Sequence, residues 1–184
     1  MSSIFQTRHN IGVTDKEIGR SLFAQIIEDA IEEAQKGDRI LIAYTMYEND
    51  MREVIRQEDN KYFVNIDYIG EGDHQIHLNT FNITLRFVNV GLCIDTEAVI
   101  NKIKGYTRYD KVIVVDASWV TKRTTAELSH FCHSPNGRDR EAVTFITSGA
   151  GYKNDEVSEM IKDPSSERWG IPIHVFDYNE RSVR

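Results

Sequence analysis

Two apolar runs dominate the hydrophobic pattern of the chain, at residues 112–115 and 142–146. Polar residues follow each run, and a stretch with helical character lies between them. Strands that are apolar on both faces are typical of a parallel sheet that helices cover on both sides. The pattern therefore predicts two inner, parallel strands of an α/β fold, with ligands bound beyond their carboxyl ends.

Shorter apolar runs and helical repeats complete this pattern. Further strands are predicted at residues 40–44, 62–66, 88–94 and 171–176. Helical spacing of apolar residues predicts helices around residues 18–34, 51–55, 99–103 and 157–161. Strands separated mostly by helices predict a three-layer α/β sandwich with a mostly parallel, doubly wound central sheet of the Rossmann-like kind.

The first helix shows signals for both of its ends. Thr14 and Glu17 have the spacing of a capping box, in which each side chain can satisfy an unpaired amide at the start of a helix. Apolar residues then recur at helical spacing from Ile18 to Ala34, and Gly37 is typical of the residue that closes a helix. These residues predict a helix that begins beside Thr14.

The stretches outside these helices and strands set the bounds of the predicted domain. Residues 70–80 are polar and contain glycine, which predicts a loop, while residues 81–87 are ambiguous between structures. We expect a flexible N-terminal segment at residues 1–13. Because the length suits a single core, residues 14–184 are predicted to form one α/β domain.

Composition and charge limit the classes of protein to which this chain can belong. Hydrophobic residues make up 40% of the chain and the net charge is −7, which is ordinary for a globular domain and argues against a surface built wholly for nucleic acid. Cys93 and Cys132 do not suggest a disulfide framework, so an intracellular compartment, cytoplasmic or nuclear, is expected. The sequence shows no secretory signal and no membrane-length apolar run, so no membrane partner is expected.

Polar residues follow both apolar runs, where ligands are expected. They are Asp116, Ser118 and Trp119 after the first run, and Ser148 and Gly149 after the second. The turn at residues 149–151 could bind an anion through its amides, but a turn that needs only glycine geometry is the simpler interpretation. Neither this turn nor residues 70–72 precede the Lys-Ser/Thr of a P-loop, so no P-loop and no ATPase activity are predicted.

Histidines and basic residues surround the predicted central helix. Two histidine pairs, His74/His77 and His130/His133, have i,i+3 spacing, and on the predicted helix His130 and His133 could share a metal or a phosphate. No third ligand is evident, so structural histidines are expected, with no metal and no cofactor. Four basic residues form either a candidate nucleic-acid face or a solvated rim: Lys122, Arg123, Arg138 and Arg140.

One group of motifs consists of the strand at residues 111–115, Asp116 directly after it, and the later Phe-Ile-Thr-Ser-Gly run. They resemble the core of Mrr-type restriction endonucleases, which need an acidic residue and a lysine at adjacent strand positions to hold magnesium and activate water. Valines stand here where the lysine is expected, and Lys111 and Lys122 are out of register. A divergent metal-dependent phosphodiester or nucleotide hydrolase is therefore the alternative function.

A longer set of motifs lies between residues 21 and 155. A helix precedes Gly37-Asp38 and a strand, Phe81-Asn82 precede another strand, and an apolar strand precedes Asp116-x-x-Trp119. In this order the motifs resemble the second RecA-like lobe of superfamily-two helicases, and most of all that of Swi/Snf-type chromatin remodelling ATPases.

The sequence departs from this family where nucleotide is bound. The family's glutamine and two phosphate-contacting arginines correspond to Ala126, His130 and His133, and neutral imidazole does not supply the permanent charge of arginine. The resemblance therefore implies the fold and a nucleic-acid surface, without ATP hydrolysis. The predicted function is a non-catalytic binding or regulatory module. Its predicted partners are DNA or RNA, bound weakly, and a helicase, remodelling or repair protein.

Overall fold

The structure is a computed structural model that describes residues 9–15, 18–45, 47–62, 64–70, 73–91, 96–103, 109–116, 143–148, 156–167 and 173–178. Its strands are β1 (His9–Thr14), β2 (Arg39–Tyr44), β3 (Val64–Gly70), β4 (Asp73–Leu78), β5 (Ile83–Asn89), β6 (Lys111–Val115), β7 (Val143–Ser148) and β8 (Ile173–Asp177). Its helices are α1 (Arg20–Glu33), α2 (Glu48–Tyr62), α3 (Thr96–Ile103) and α4 (Glu156–Lys162). In this described part, no helix has the length and apolar composition needed to cross a membrane.

The strands form one 8-stranded sheet in the order β3-β4-β5-β2-β6-β7-β1-β8. Neighbouring strands from β5 to β8 are parallel, whereas β3, β4 and β5 pair in antiparallel fashion. Large α/β sheets commonly combine a parallel body with an antiparallel edge. The predicted fold class, an α/β sandwich around a mostly parallel sheet, is confirmed.

Helices cover both faces of this sheet. Along β2, Ile40 and Ile42 face a core that includes α1 and α2, whereas Leu41 and Ala43 face a second core that includes α4. The same alternation buries β6 along its whole length, which explains why its sequence is continuously aliphatic after its first residue. The prediction of two inner parallel strands at residues 112–115 and 142–146 is confirmed by β6 and β7.

β1 differs from the expectation of a flexible segment over residues 1–13. It lies inside the sheet, parallel to β7 on one side and β8 on the other. A Cβ atom added at Gly12 would lie 3.0 Å from side-chain atoms of both Ile146 and Phe176, so only glycine fits there without a shift of its neighbours. Asn10, Gly12 and Thr14 interrupt the apolar pattern, and for this reason the strand is not evident from hydrophobicity. The assignment of residues 14–184 to one domain stays a prediction.

The two ends of α1 also differ from the prediction. Thr14 is not a helix cap, because it ends β1 and is buried, and the helix begins at Arg20 after Gly19. At the other end Ala34 is the C-cap residue. Gly37 does have the expected left-handed backbone, with a φ of 91°, but it serves the turn toward β2, where its N–H donates to the Asn82 carbonyl at 2.8 Å.

The antiparallel edge corrects the prediction of a loop at residues 70–80. β4 occupies most of this stretch and pairs with both β3 and β5. Its alternation is visible once the register is known, because His74, Ile76 and Leu78 are buried while the residues between them are partly exposed. The strand predicted at residues 62–66 lies at Val64–Gly70, and β5 resolves the ambiguous stretch but ends at Asn89 rather than at residue 94.

Candidate functional site

The carboxyl ends of the six parallel strands lie along one side of the sheet, which we call the carboxyl edge. From β1 the chain crosses to β2 on one side, while from β7 it crosses to β8 on the opposite side of β1. The core that includes α1 and the core that includes α4 lie on different faces of the sheet. In doubly wound sheets such a reversal of direction opens a crevice that binds ligands. By this rule the crevice is expected beyond the end of β1.

A strand, a short connection and a helix meet at that crevice. Residues 14–21, which connect β1 to α1, read Thr-Asp-Lys-Glu-Ile-Gly-Arg-Ser. Gly19 is the N-cap residue of α1 and makes no side-chain capping bond, and the first turn of the helix contains no acidic residue. A helix N-terminus with these properties favours an anion, because its amides and the positive end of the helix dipole face the ligand.

This connection follows the spacing of a P-loop with two departures. Gly19 and Ser21 stand at the positions of the second glycine and the final Ser/Thr, while Arg20 replaces lysine and Thr14 replaces the first glycine. The prediction that the sequence holds no strict P-loop pattern is unchanged by this. What the structure corrects is the helix start, because the capping-box interpretation began the helix beside Thr14, whereas Gly19-Arg20-Ser21 stand at its beginning.

Arg20 is held beside the crevice by an ion pair. Its Nε donates to Asp50 Oδ1 at 2.7 Å, and its Nη2 contacts the same oxygen. The Arg20 side chain is 57% exposed, and such exposed pairs contribute at most about 1 kcal/mol. A phosphate offers arginine stronger, bidentate hydrogen bonds, so the pair with Asp50 is weak enough to be exchanged for a ligand.

Asp116 lies at the same edge, directly after β6. Its backbone is left-handed, with a φ of 61°, and its Oδ2 accepts a hydrogen bond from Thr45 Oγ1 at 3.1 Å. Val115 and Gly12 both pair with Ile146 of β7, so Asp116 is level with the end of β1 across one intervening strand. Because neighbouring strands lie about 4.8 Å apart, the backbones of Asp116 and β1 are about 10 Å apart at this level.

Ser148 completes the group that the structure brings together. It ends β7 and lies opposite Thr14 in the β1–β7 pair. Asp116 and Ser148 are therefore the predicted site residues that the structure places near the crevice. The other predicted site residues lie outside the described residues and stay predictions: Ser118, Trp119, Lys122, Arg123, His130, His133, Arg138, Arg140 and Gly149.

Metal-binding potential at the two earlier histidines is not supported. His74 is buried and shares a hydrogen bond of 3.1 Å with Glu48 Oε1, whereas His77, three residues further along a strand, faces the other side and contacts Thr84 Oγ1 at 3.1 Å. Burial raises the pKa of Glu48, but hydrogen bonds and charge from His74 and Arg52 outweigh it and lower that pKa below its ordinary value. In the described part of the chain, no group of three or more His, Cys, Asp and Glu could hold a metal.

The acid–lysine pair of a nuclease is also not formed along β6. Lys111 begins the strand, and its Nζ donates to the Glu33 carbonyl at 2.8 Å at the opposite edge of the sheet. At about 3.3 Å per residue, Lys111 lies about 16 Å from Asp116. This lysine therefore stabilises the end of α1 and does not face Asp116.

No protein-family model matches the sequence, and no curated protein matches it. Among solved structures, the large terminase from a thermophilic bacteriophage (crystal form 2) matches with a TM-score of 0.62 at 10% identity, over 96% of this chain and 41% of that chain. The same terminase in complex with ADP matches with a TM-score of 0.55 at 10% identity, over 96% and 42%.

The HK97 bacteriophage large terminase matches with a TM-score of 0.56 at 13% identity, over 93% of this chain and 35% of that chain. The present chain therefore spans less than half the length of these terminases. Identities this low show the fold alone, and the chain shares the RecA-like α/β fold of these structures.

Proposed function

We propose that this chain is a nucleotide-binding module of RecA-like fold, in which the phosphates of ADP or ATP lie at the connection between β1 and α1. One observation is central to this proposal. Gly19, Arg20 and Ser21 stand at the start of α1, directly beyond an inner strand at the point where the sheet reverses direction. Phosphate sites of α/β proteins form at such helix N-termini.

The structural neighbours support the same ligand class. The terminase from the thermophilic bacteriophage has been crystallised in complex with ADP and in complex with ATP-gamma-S, and both forms match this chain over more than nine tenths of its length. Those ligands belong to the terminase, and identity is only 10% and 9%. What the neighbours add is that a fold of this kind accommodates a nucleotide, and the β1–α1 connection supplies the residues to receive one.

Each described residue of the crevice has a chemical role in this proposal. The amides at the start of α1 receive a phosphate, and Arg20 exchanges Asp50 for phosphate oxygens. Ser21 and Asp116 provide a hydroxyl and a carboxylate, the hard oxygen ligands that suit Mg²⁺ when phosphates and water complete its shell. When bound, the ion neutralises negative charge on the phosphates.

Turnover of the nucleotide is not part of the proposal. Phosphoryl transfer depends on close positioning of the phosphates and of the attacking water. Thr14 replaces the glycine that lets a P-loop backbone approach the phosphates, and Ala117 follows Asp116 where another carboxylate could have oriented water. The absence of measurable ATPase activity, with or without DNA, therefore stays a prediction.

The finer family assignment also remains a prediction. In helicases of the Swi/Snf type the P-loop belongs to the first lobe, whereas the resemblance is to the second. Two features of this chain favour a lobe with its own phosphate site instead: the divergent P-loop spacing at residues 14–21, and the position of β1 between β7 and β8.

The binding test compares Arg20→Ala with Arg56→Ala. Arg56 is 77% exposed on α2 and pairs loosely with Glu53 at 3.6 Å, so its loss changes the net charge equally without touching the crevice. Losing charge-assisted hydrogen bonds from Arg20 should weaken ADP binding in the presence of Mg²⁺ by about 10- to 100-fold, measured by isothermal titration calorimetry. The control should bind like the wild type. Absence of ADP binding by the wild type would overturn the proposal.

A second candidate function, contact with single-stranded nucleic acid, is favoured by Tyr47. Its side chain is 83% exposed, shortly after β2 and at the same edge as the crevice. Exposed aromatic rings of this kind stack on bases without sequence preference. We propose that DNA or RNA contacts this edge, which agrees with one of the two predicted partner classes, nucleic acid or a nucleic-acid-processing protein.

Phe81 provides a matched control for this second candidate. It is 43% exposed, but it lies in the turn before β5, at the opposite edge of the sheet. Tyr47→Ala should weaken binding of a fluorescent single-stranded oligonucleotide by about 5- to 150-fold, because one stacked base contributes about 1–3 kcal/mol. Phe81→Ala should have no effect, and equal effects of both substitutions would remove the assignment to this edge.

A further inference from the structure

The backbone of Asp116 is held in a conformation that other residue types avoid. A left-handed φ of 61° costs roughly 1–2 kcal/mol for most residues with a Cβ, and aspartate and asparagine adopt it more often than other non-glycine residues. Strain of this kind persists only where the surroundings impose it, and it is concentrated at functional sites. At the end of β2, Thr45 Oγ1 donates a hydrogen bond to Asp116 Oδ2 at 3.1 Å.

Thr45 is itself fixed by the end of β5. A Cβ atom at Gly91 would lie 2.7 Å from the Thr45 carbonyl oxygen and 3.2 Å from its Cα, so the two backbones meet more closely than any other residue type allows. The Gly91 N–H donates to Asn89 Oδ1 at 2.9 Å, and the Val90 N–H donates to the Tyr44 carbonyl at 2.8 Å. These contacts hold the end of β5 against the end of β2.

Helix α3 extends this set of contacts. Lys102 Nζ donates to the Asn89 carbonyl at 2.8 Å, so α3 holds the end of β5 from the outside. A continuous series of contacts therefore runs from α3 through Asn89 and Gly91 to Thr45, and from Thr45 to the carboxylate of Asp116.

We infer that Thr45 is a positioning residue that orients the Asp116 carboxylate toward the metal ion of a bound nucleotide, and that Gly91 holds Thr45 in place for this task. This inference rests on the proposed function, because it assigns a role in the same site. It predicts that Thr45 affects the metal-dependent part of nucleotide binding and leaves the phosphate contacts of α1 unchanged.

The experiment measures ADP affinity twice, once with Mg²⁺ and once with EDTA, and takes the ratio of the two dissociation constants as the Mg²⁺ enhancement. Thr45→Val keeps the branched shape and removes the hydroxyl, whereas Thr45→Ser keeps the hydroxyl. Losing a hydrogen bond to a charged group should lower the enhancement by about tenfold in Thr45→Val. In Thr45→Ser it should stay within about twofold of the wild type, and ADP affinity in EDTA should be unchanged in both variants.

Gly91→Ala tests the second part of the inference. Its methyl group should push the end of β2 away and lower the Mg²⁺ enhancement, with circular dichroism checking that the variant is folded. If Gly91→Ala does not fold, the Thr45 pair decides the matter alone. Wild-type enhancement in Thr45→Val, or an equal loss in Thr45→Ser, overturns the inference while leaving the proposed function intact. Failure of wild-type protein to bind ADP under either condition overturns the proposed function first.

Discussion

β6 and β1 are both neighbours of β7 and both lie inside the sheet, yet they are built from different residues. β6 is buried along its length and is aliphatic after its first residue. β1 contains Asn10, Gly12 and Thr14, whereas inner parallel strands are usually almost continuously apolar. The comparison indicates that β6 contributes more apolar packing to the sheet than β1, whose polar and glycine residues lead into the connection where we propose that phosphates bind.

The glycine of β1 shows how the sheet accommodates this difference. At Gly12 the side chains of Ile146 and Phe176 fill the space that a Cβ would occupy. Neighbouring side chains thus complete the packing that β1 does not supply, and the strand can end in Thr14 and Asp15 at the carboxyl edge. Stability should therefore depend more steeply on β6 than on β1.

The largest expected effect is on β6. Val114→Asp places an unpaired charge in a fully buried position, which costs several kcal/mol, on the order of the whole stability of a domain. We expect no cooperative urea unfolding transition in this variant. Val114→Thr, which keeps the shape and adds one hydroxyl, should stay folded with a lower midpoint. A stable Val114→Asp variant would contradict the role assigned to β6.

A smaller effect is expected on β1. Gly12→Val forces side-chain atoms against Ile146 and Phe176, and such overpacking typically costs about 1–3 kcal/mol. The urea midpoint should fall without loss of cooperativity. Gly19→Ala is the control, since no atom lies within 4 Å of the added methyl group, and it should cost at most about 1 kcal/mol, because alanine is a poorer N-cap residue than glycine. Equal destabilisation by both substitutions would mean that β1 is not packed as described.

The smallest effect is expected at Asp116, where β6 meets the crevice. Replacing Asp116 removes the hydrogen bond from Thr45 in either variant, but glycine adopts the left-handed φ without the Cβ penalty and alanine does not. Asp116→Gly should therefore be more stable than Asp116→Ala by about 1 kcal/mol. Thermal unfolding followed by circular dichroism measures this difference, and a more stable alanine variant would remove the claim of backbone strain.

The same contrast between β1 and β6 explains what the sequence could and could not predict. Apolar runs identified β6 and β7 as inner strands, and the strand-end rule then located Asp116 and Ser148 correctly at the carboxyl edge. β1 was missed because its polar and glycine residues break the apolar run. Its register depends on contacts with Ile146 and Phe176, more than a hundred residues away, which no local pattern contains.

The start of α1 was placed too early for a related reason. Thr14 and Glu17 have the spacing of a helix cap, and apolar periodicity begins at Ile18, so local signals favoured an earlier helix start. Only the pairing of β1 with β7 shows that Thr14 belongs to a strand and that Gly19 to Ser21 begin the helix. The β4 strand was also not predicted, because its charged and amide residues interrupt the apolar pattern.

The central claim is that nucleotide phosphates bind at the start of α1. The most direct measurement is a titration of ¹⁵N-labelled protein with ADP and Mg²⁺, followed by amide chemical shifts. The account predicts that the largest shifts fall on Gly19, Arg20 and Ser21, with a second, metal-dependent set at Asp116. Shifts concentrated elsewhere, or no shifts at saturating ADP, would contradict it.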